Sequence, residues 1–385
     1  MKRIAIFFTL FLGVILAVII PNFAPGRGEQ DFIRYWAASR LLVTGGNPYD
    51  GKDLTNIQKE TRPELLIEEG DIVEAWNPPW LLLTLIPLGL LPFGFAVPMW
   101  VFLNVLLIVS ALVISWRLSG GADNQRLFLI VLGAGVLFGN TIILIRLGQI
   151  STLILMSLLI GFLLIQKDRD WLAGVIFLVA TIKPQLSYLV LLVLLIWSLK
   201  HRRWKIIAGM AVAGIVSALV VWLILPDWLS IYIQTILRLP FSNIYTSTLG
   251  SFMNEMFGVS IFKYTAILLL PLAFPLAKQV DKIGWFTTMN LALVISIPFS
   301  VYGFSFDQVL LLPAVVQIIA WITKGMLPSK FAWGVGIGIT VTYTLLLWMM
   351  SRTALPYYWF FWISFFILCL YLLAWRYNRE RTKTA

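Results

Sequence analysis

The sequence predicts an all-α polytopic membrane protein, a bundle of about twelve spans with juxtamembrane helices at its outer face. Three observations lead there. The 385 residues are 60% hydrophobic and 12% charged, with a mean hydropathy of +0.89, more apolar surface than a soluble chain of this size can bury. The apolar residues fall into successive runs of membrane-helix type, broken by short polar loops. The basic excess, a formal charge of +11, gathers in those loops and at the two ends, as the cytosolic preference of lysine and arginine requires. That placement explains the charge without nucleic acid as a partner; the partner it implies is the lipid bilayer.

In chain order, residues 4–21 form the first span, with Lys2 and Arg3 inside. The stretch lacks a small-x-small cleavage site before Pro21 and reads as a retained anchor. Residues 22–78 form the first outer loop, with ten acidic and six basic residues, a balance that places it away from the cytosol. Within it, Glu29 to Tyr49 reads as a helix lying on the bilayer. Ile33, Trp36, Ala37 and Leu41 share one side, and Asp31, Arg34 and Tyr35 another. Gly45-Gly46 ends this helix and Asn47-Pro48 begins a turn. Residues 79–91 are short for a crossing and read as a helix partly embedded in the outer leaflet.

Further spans are expected at 95–117, 126–146, 149–166, 170–182, 184–199, 204–225, 261–278, 284–301, 306–323, 331–350 and 357–375. Lys183-Pro184 divides the stretch from 170 to 199 into two short pieces, an arrangement that leaves Lys183 in a cavity below the outer surface. Residues 227–260 form a second outer loop, with a surface helix near its start. Arg117, Arg126, Lys167, Arg169, Lys200 to Lys205, Lys278, Lys282, Lys324, Lys330 and the basic tail all fall inside. The chain is thus one transmembrane domain, 1–385, of the plasma membrane, with both termini cytosolic. Its one cysteine, Cys369, excludes an internal disulfide, and its one histidine, His201, sits in a basic interfacial run.

Charges in a membrane are costly and face a cavity or a partner. The exceptions on the outer side are Asp31, Arg146 with Gln149, Lys183, and Asp307. Asp31, in the first turn of its helix, has the chemistry of a general base for a hydroxyl; the plainer reading is a helix-end charge paired with Arg34. Arg146 and Lys183 suit a phosphate, and the plainer reading pairs Lys183 with Asp307. Gln149 and Ser151 suit sugar hydroxyls or interhelical hydrogen bonds. Tyr302, Ser305 and Asp307 suit an acceptor pocket, or Asp307 caps the helix it precedes. The many Trp and Tyr residues read as an interfacial belt, with Trp76 or Trp80 placed to line a sugar site as well. Walker A, HExxH and Gly-x-Ser-x-Gly patterns are all missing, so nucleotide, zinc and serine hydrolysis have no support.

The order of Asp31-x3-Tyr35-x-x-Ala38, Gly46-Asn47-Pro48-Tyr49, Asn77-Pro78-Pro79, Gly148-Gln149, Ala173-Gly174, Lys183-Pro184 and Tyr302 with Asp307 resembles glycosyltransferase family 87. The resemblance spans most of residues 1–315 and implies a GT-C-type bundle. It implies a sugar, mannose before arabinofuranose, taken from a polyprenyl-phosphate donor and passed to a glycolipid or glycan acceptor, with inversion. It implies Asp31 as the base and Lys183 beside the donor phosphate. Tyr35, Asn77, Gln149, Ser151, Tyr302 and Asp307 are then the sugar and acceptor contacts. No cofactor or metal is expected. Ser151 stands where the family often has Asn, and Gln185 follows the Lys-Pro pair, departures that bear on the donor sugar. A flippase for lipid-linked sugars is the alternative; it predicts paired, repeat-related halves, which the sequence does not display.

Overall fold

The computed structural model describes residues 31–62, 76–121, 125–136, 138–237, 246–350 and 356–384. The expected first span lies outside them, as do 22–30, 63–75 and 238–245 of the two long loops. Among the described residues every regular element is helical.

The first loop contributes α1 (Phe32–Thr44) and α2 (Gly51–Thr61). Helix α1 ends where expected. Gly45 takes a left-handed φ of 81° and returns its N–H to the Leu41 carbonyl. Asp50 starts α2 by accepting the Lys52 and Asp53 N–H groups at 2.7 and 3.2 Å. The apolar face of α1 was expected on bare bilayer. It is instead packed on α3 (Pro79–Gly89) and the start of α4 (Phe93–Leu118). Phe32 stacks on Trp100 with centroids 5.5 Å apart, and the Trp36 indole donates to the Leu91 carbonyl at 3.0 Å. An amphipathic stripe records only that a face is apolar; protein and lipid satisfy it equally.

The next expected span is broken into α5 (Gln125–Val136) and α6 (Gly139–Leu147), bent by 56°. Then follow α7 (Ser151–Gln166), α8 (Asp170–Ala180) and α9 (Pro184–Lys200), of 16, 11 and 17 residues. At 1.5 Å per residue these reach roughly 24, 17 and 26 Å, short of a hydrocarbon core of about 30 Å. Next are α10 (Trp204–Ile224), α11 (Trp228–Leu237), α12 (Leu249–Phe257), α13 (Thr265–Leu269) and α14 (Ala273–Ser296), which breaks at Gly284. The chain closes with α15 (Leu312–Thr323), α16 (Ser329–Met350) and α17 (Phe361–Thr384). Five helical runs among the described residues are long and apolar enough to cross a membrane, six if the bent pair is one span. Length and composition among the described residues thus support a helical membrane protein and identify fewer complete crossings than the twelve expected. Among the described residues helices occupy the expected positions, but several are short or broken relative to a complete crossing.

Two apolar cores result. The larger joins α4 to α9 with α14, α15 and α17. The smaller gathers α1, α3 and the first turns of α4 around Ile150 and Ile182. Gln149 and Lys183 are the chain neighbours of those two isoleucines, so the seam between the cores carries the polar residues. Helices α8 and α10 pack so closely that a Cβ on Gly174 would lie 2.1 Å from the Ile206 carbonyl oxygen. Loops expected to share the cytosolic side do meet. Lys200 pairs with Asp281 at 2.8 Å, Arg203 with Asp168 at 2.7 Å, and Lys324 donates to the Ser119 carbonyl at 2.8 Å.

Candidate active site

Helix α7 begins just after a turn that only a small residue allows. Gly148 has φ 66°, and a Cβ there would lie 2.5 Å from Phe32 Cβ. The Trp100 indole donates to the Gly148 carbonyl at 2.8 Å, so the turn is locked to α4 as well as to α1. This turn presents Gln149 to the N-terminus of α1. The Gln149 Nε2 donates to Asp31 Oδ2 at 2.7 Å, and its Oε1 accepts from Tyr35 Oη and Lys183 Nζ, each at 3.1 Å. The orientation of the amide follows from its neighbours, since an ammonium can only donate and a carboxylate only accept.

Asp31 stands at the N-cap position of α1, but its carboxylate makes no capping bond. It is not paired with Arg34 either. It turns to Gln149, and Oδ1 has no hydrogen-bond partner among the described residues. Lys183, at the junction of α8 and α9, is buried and engaged. Its ammonium donates to Gln149, to Asp307 Oδ1 at 2.8 Å and to Ser151 Oγ at 3.5 Å, and lies 4.9 Å from the centroid of the Phe306 ring. Asp307 is completely buried in the 3-10 turn Ser305–Leu311. Its Oδ2 accepts the Phe304 N–H at 2.9 Å and its Oδ1 also accepts the Ser151 hydroxyl. The two plainer readings of Asp307, a partner for Lys183 and a local cap, both describe what its oxygens do.

A cavity of about 1100 Å³ opens in front of this network. Asp31, Arg34, Tyr35, Asn77, Gln149, Lys183 and Tyr302 line its polar end. Leu178 of α8, Met210 of α10, and Ile233, Ile236 and Leu237 of α11 line an apolar flank. Beyond that flank α10 exposes Ile215, Leu219, Trp222 and Leu223, a lipid-facing pattern. Trp76 and Trp80 both line the cavity, and the Tyr49 hydroxyl holds the Asn77 carbonyl at 3.3 Å. Burial pushes the Tyr35 phenol well above its ordinary pKa, the Asp31 and Asp307 charges add to the shift, and Arg34 opposes it. Tyr302 is raised by burial first, then by the same two carboxylates. Both phenols therefore remain neutral hydroxyls.

Of the expected site residues, Ser151 and Asp307 sit behind Lys183 and do not reach the cavity. Arg146, expected beside Lys183, is exposed in the last turn of α6 and lines no part of it. The cavity cation that the sequence reading did not assign is Arg34, half-buried and one helical turn from Asp31. Its signal was present in the shared helix face of Asp31, Arg34 and Tyr35.

The family model of Glycosyltransferase family 87 matches residues 76–260. The matched stretch holds Asn77, Gln149, Ser151 and Lys183, and the polar network joins them to Asp31 and Asp307 on either side of it. No curated protein and no solved structure matches the chain. This match, over a little under half of the chain, together with helices long and apolar enough to cross a membrane, supports a membrane glycosyltransferase similar to glycosyltransferase family 87.

Proposed function

We propose that the protein transfers a sugar, mannose in the first instance, from a polyprenyl-phosphate donor to a hydroxyl of a glycolipid or glycan acceptor, with inversion. The observation that carries this reading is the two-natured cavity. Its lining combines a carboxylate, two cations, amides and phenols with an apolar set from α8, α10 and α11. An amphiphile with an anionic head and a prenyl tail matches both sets. The volume of about 1100 Å³ exceeds that of most single-ligand pockets, leaving room for donor sugar and acceptor together.

In this mechanism the acceptor O–H gives its proton to Asp31 as its oxygen bonds to the anomeric carbon. The bond from that carbon to the phosphate oxygen breaks, and its electron pair stays on the phosphate. Phosphate is already a good leaving group, so positioning and charge stabilisation supply most of the effect. Gln149 keeps the Asp31 carboxylate turned to the cavity. The bundle is read as GT-C-type with about twelve crossings, in the plasma membrane, with both ends cytosolic and the cavity on the outer side. The Lys200–Asp281, Arg203–Asp168 and Lys324–Ser119 contacts, each between loops expected on the cytosolic side, support this topology.

The test is incubation of purified protein with prenyl-phosphate mannose and, separately, prenyl-phosphate arabinofuranose, with mass analysis of products. A mass gain of one hexose on the acceptor is expected. Movement of labelled donor across proteoliposomes lacking acceptor, without any product, would support the flippase instead.

A further inference from the structure

We propose that Arg34, and not Lys183, is the residue that grips the phosphate of the lipid-linked donor. The proposal rests on the donor reading above and names the contact within it.

Bonding capacity distinguishes the two cations. An ammonium has three protons. Two protons of Lys183 have close acceptors, Gln149 at 3.1 Å and Asp307 at 2.8 Å, the third has Ser151 Oγ only at 3.5 Å, and its charge is met by a fully buried carboxylate. A phosphate reaching Lys183 would have to displace one of these and leave a buried group unmatched, at a cost of about 1–3 kcal/mol or more. Arg34 is in the opposite condition. It lines the cavity, is half-buried, and makes no hydrogen bond or ion pair with any described residue. Its five N–H groups form a planar fork that matches two phosphate oxygens at once. Its field is felt at both Tyr35 and Tyr302, which places the guanidinium near the two neutral phenols of the polar end.

Charge points the same way. Asp31 and Asp307 are negative, Lys183 and Arg34 positive, so the four side chains sum to zero. Lys183 and Asp307 offset each other at the rear, so among the described residues Arg34 is the cation that offsets Asp31 at the cavity. During transfer Asp31 takes up a proton while the departing phosphate goes from one negative charge towards two. Arg34, one turn from Asp31 on the same helix face, loses a competing anion as the phosphate gains charge. Its attraction to the phosphate is thus greater after bond breaking than before, the condition for a group that assists the step.

Binding of farnesyl phosphate and of farnesol to the full-length protein in lipid nanodiscs tests this. Arg34→Gln is expected to weaken farnesyl phosphate by at least about tenfold and to leave farnesol unchanged. Arg34→Lys, which keeps the charge but not the fork, should fall between. Asp31→Asn should bind farnesyl phosphate no more weakly than the wild type. Wild-type affinity in Arg34→Gln would overturn the assignment while leaving the donor class standing. Equal affinity of the wild-type protein for farnesyl phosphate and farnesol would overturn the phosphate donor itself, and Arg34 with it.

Discussion

Two groups of polar residues meet at this cavity, and they differ in how much of their bonding capacity is used. At the rear, Lys183, Asp307 and Ser151 are buried, charge-balanced and joined to one another and to backbone. At the rim, Asp31 has one bond from Gln149, and Arg34 has none among the described residues. From the sequence, Asp31 is the expected base and Lys183 the expected phosphate contact, both functional charges. The structure separates them. A buried, charge-matched pair holds helices in register, and a half-buried charge with open valences is available to a ligand. Gln149 belongs to both groups and ties the rim to the rear.

Substitutions at the rim and at the rear should have different consequences. Asp31→Asn should cost about 10²–10⁴-fold in transfer rate, the usual worth of a general base, with the protein still folded. Lys183→Met should act on stability, because it strands the buried Asp307 carboxylate. A loss of about 3–5 kcal/mol is expected, read as lowered thermal stability in detergent. Combining it with Asp307→Leu should restore part of that loss, since two apolar groups leave no charge unmatched. Failure of the double variant to recover would show that the pair does more than hold the fold. Gln149→Ala should lower kcat by about 10–100-fold with little change in donor KM, because it frees Asp31 to swing away from the acceptor. Arg146→Ala should change stability by no more than about 0.5 kcal/mol and leave transfer intact. Smallest of all is the expected effect of a chelator such as EDTA, which should leave the rate unchanged.

Much of the scaffold was legible because apolar runs and Pro/Gly breaks mark helices directly. The ends of α1 at Gly45 and of α8 before Lys183-Pro184 fall close to where composition puts them. The joining of Asp31, Gln149, Lys183 and Asp307 also follows from placing each at one end of its helix. What could not be read was helix phase. Helix α6 has apolar residues on most sides, so nothing in its sequence says whether Arg146 faces a cavity or lipid. Packing settles that it faces outward. For α1 the phase was readable but its neighbour was not, because α3 and a bilayer are equally apolar. The engagement of Lys183 was invisible for a different reason. It depends on three residues 32, 34 and 124 positions away, brought together only by the fold.

The most direct test pairs Asp31→Asn with Asp307→Asn, measuring for each both the unfolding temperature and sugar transfer per folded molecule. The account predicts that Asp31→Asn unfolds at the wild-type temperature and transfers almost nothing, and that Asp307→Asn unfolds earlier. An Asp31→Asn protein that transfers sugar at the wild-type rate would contradict it.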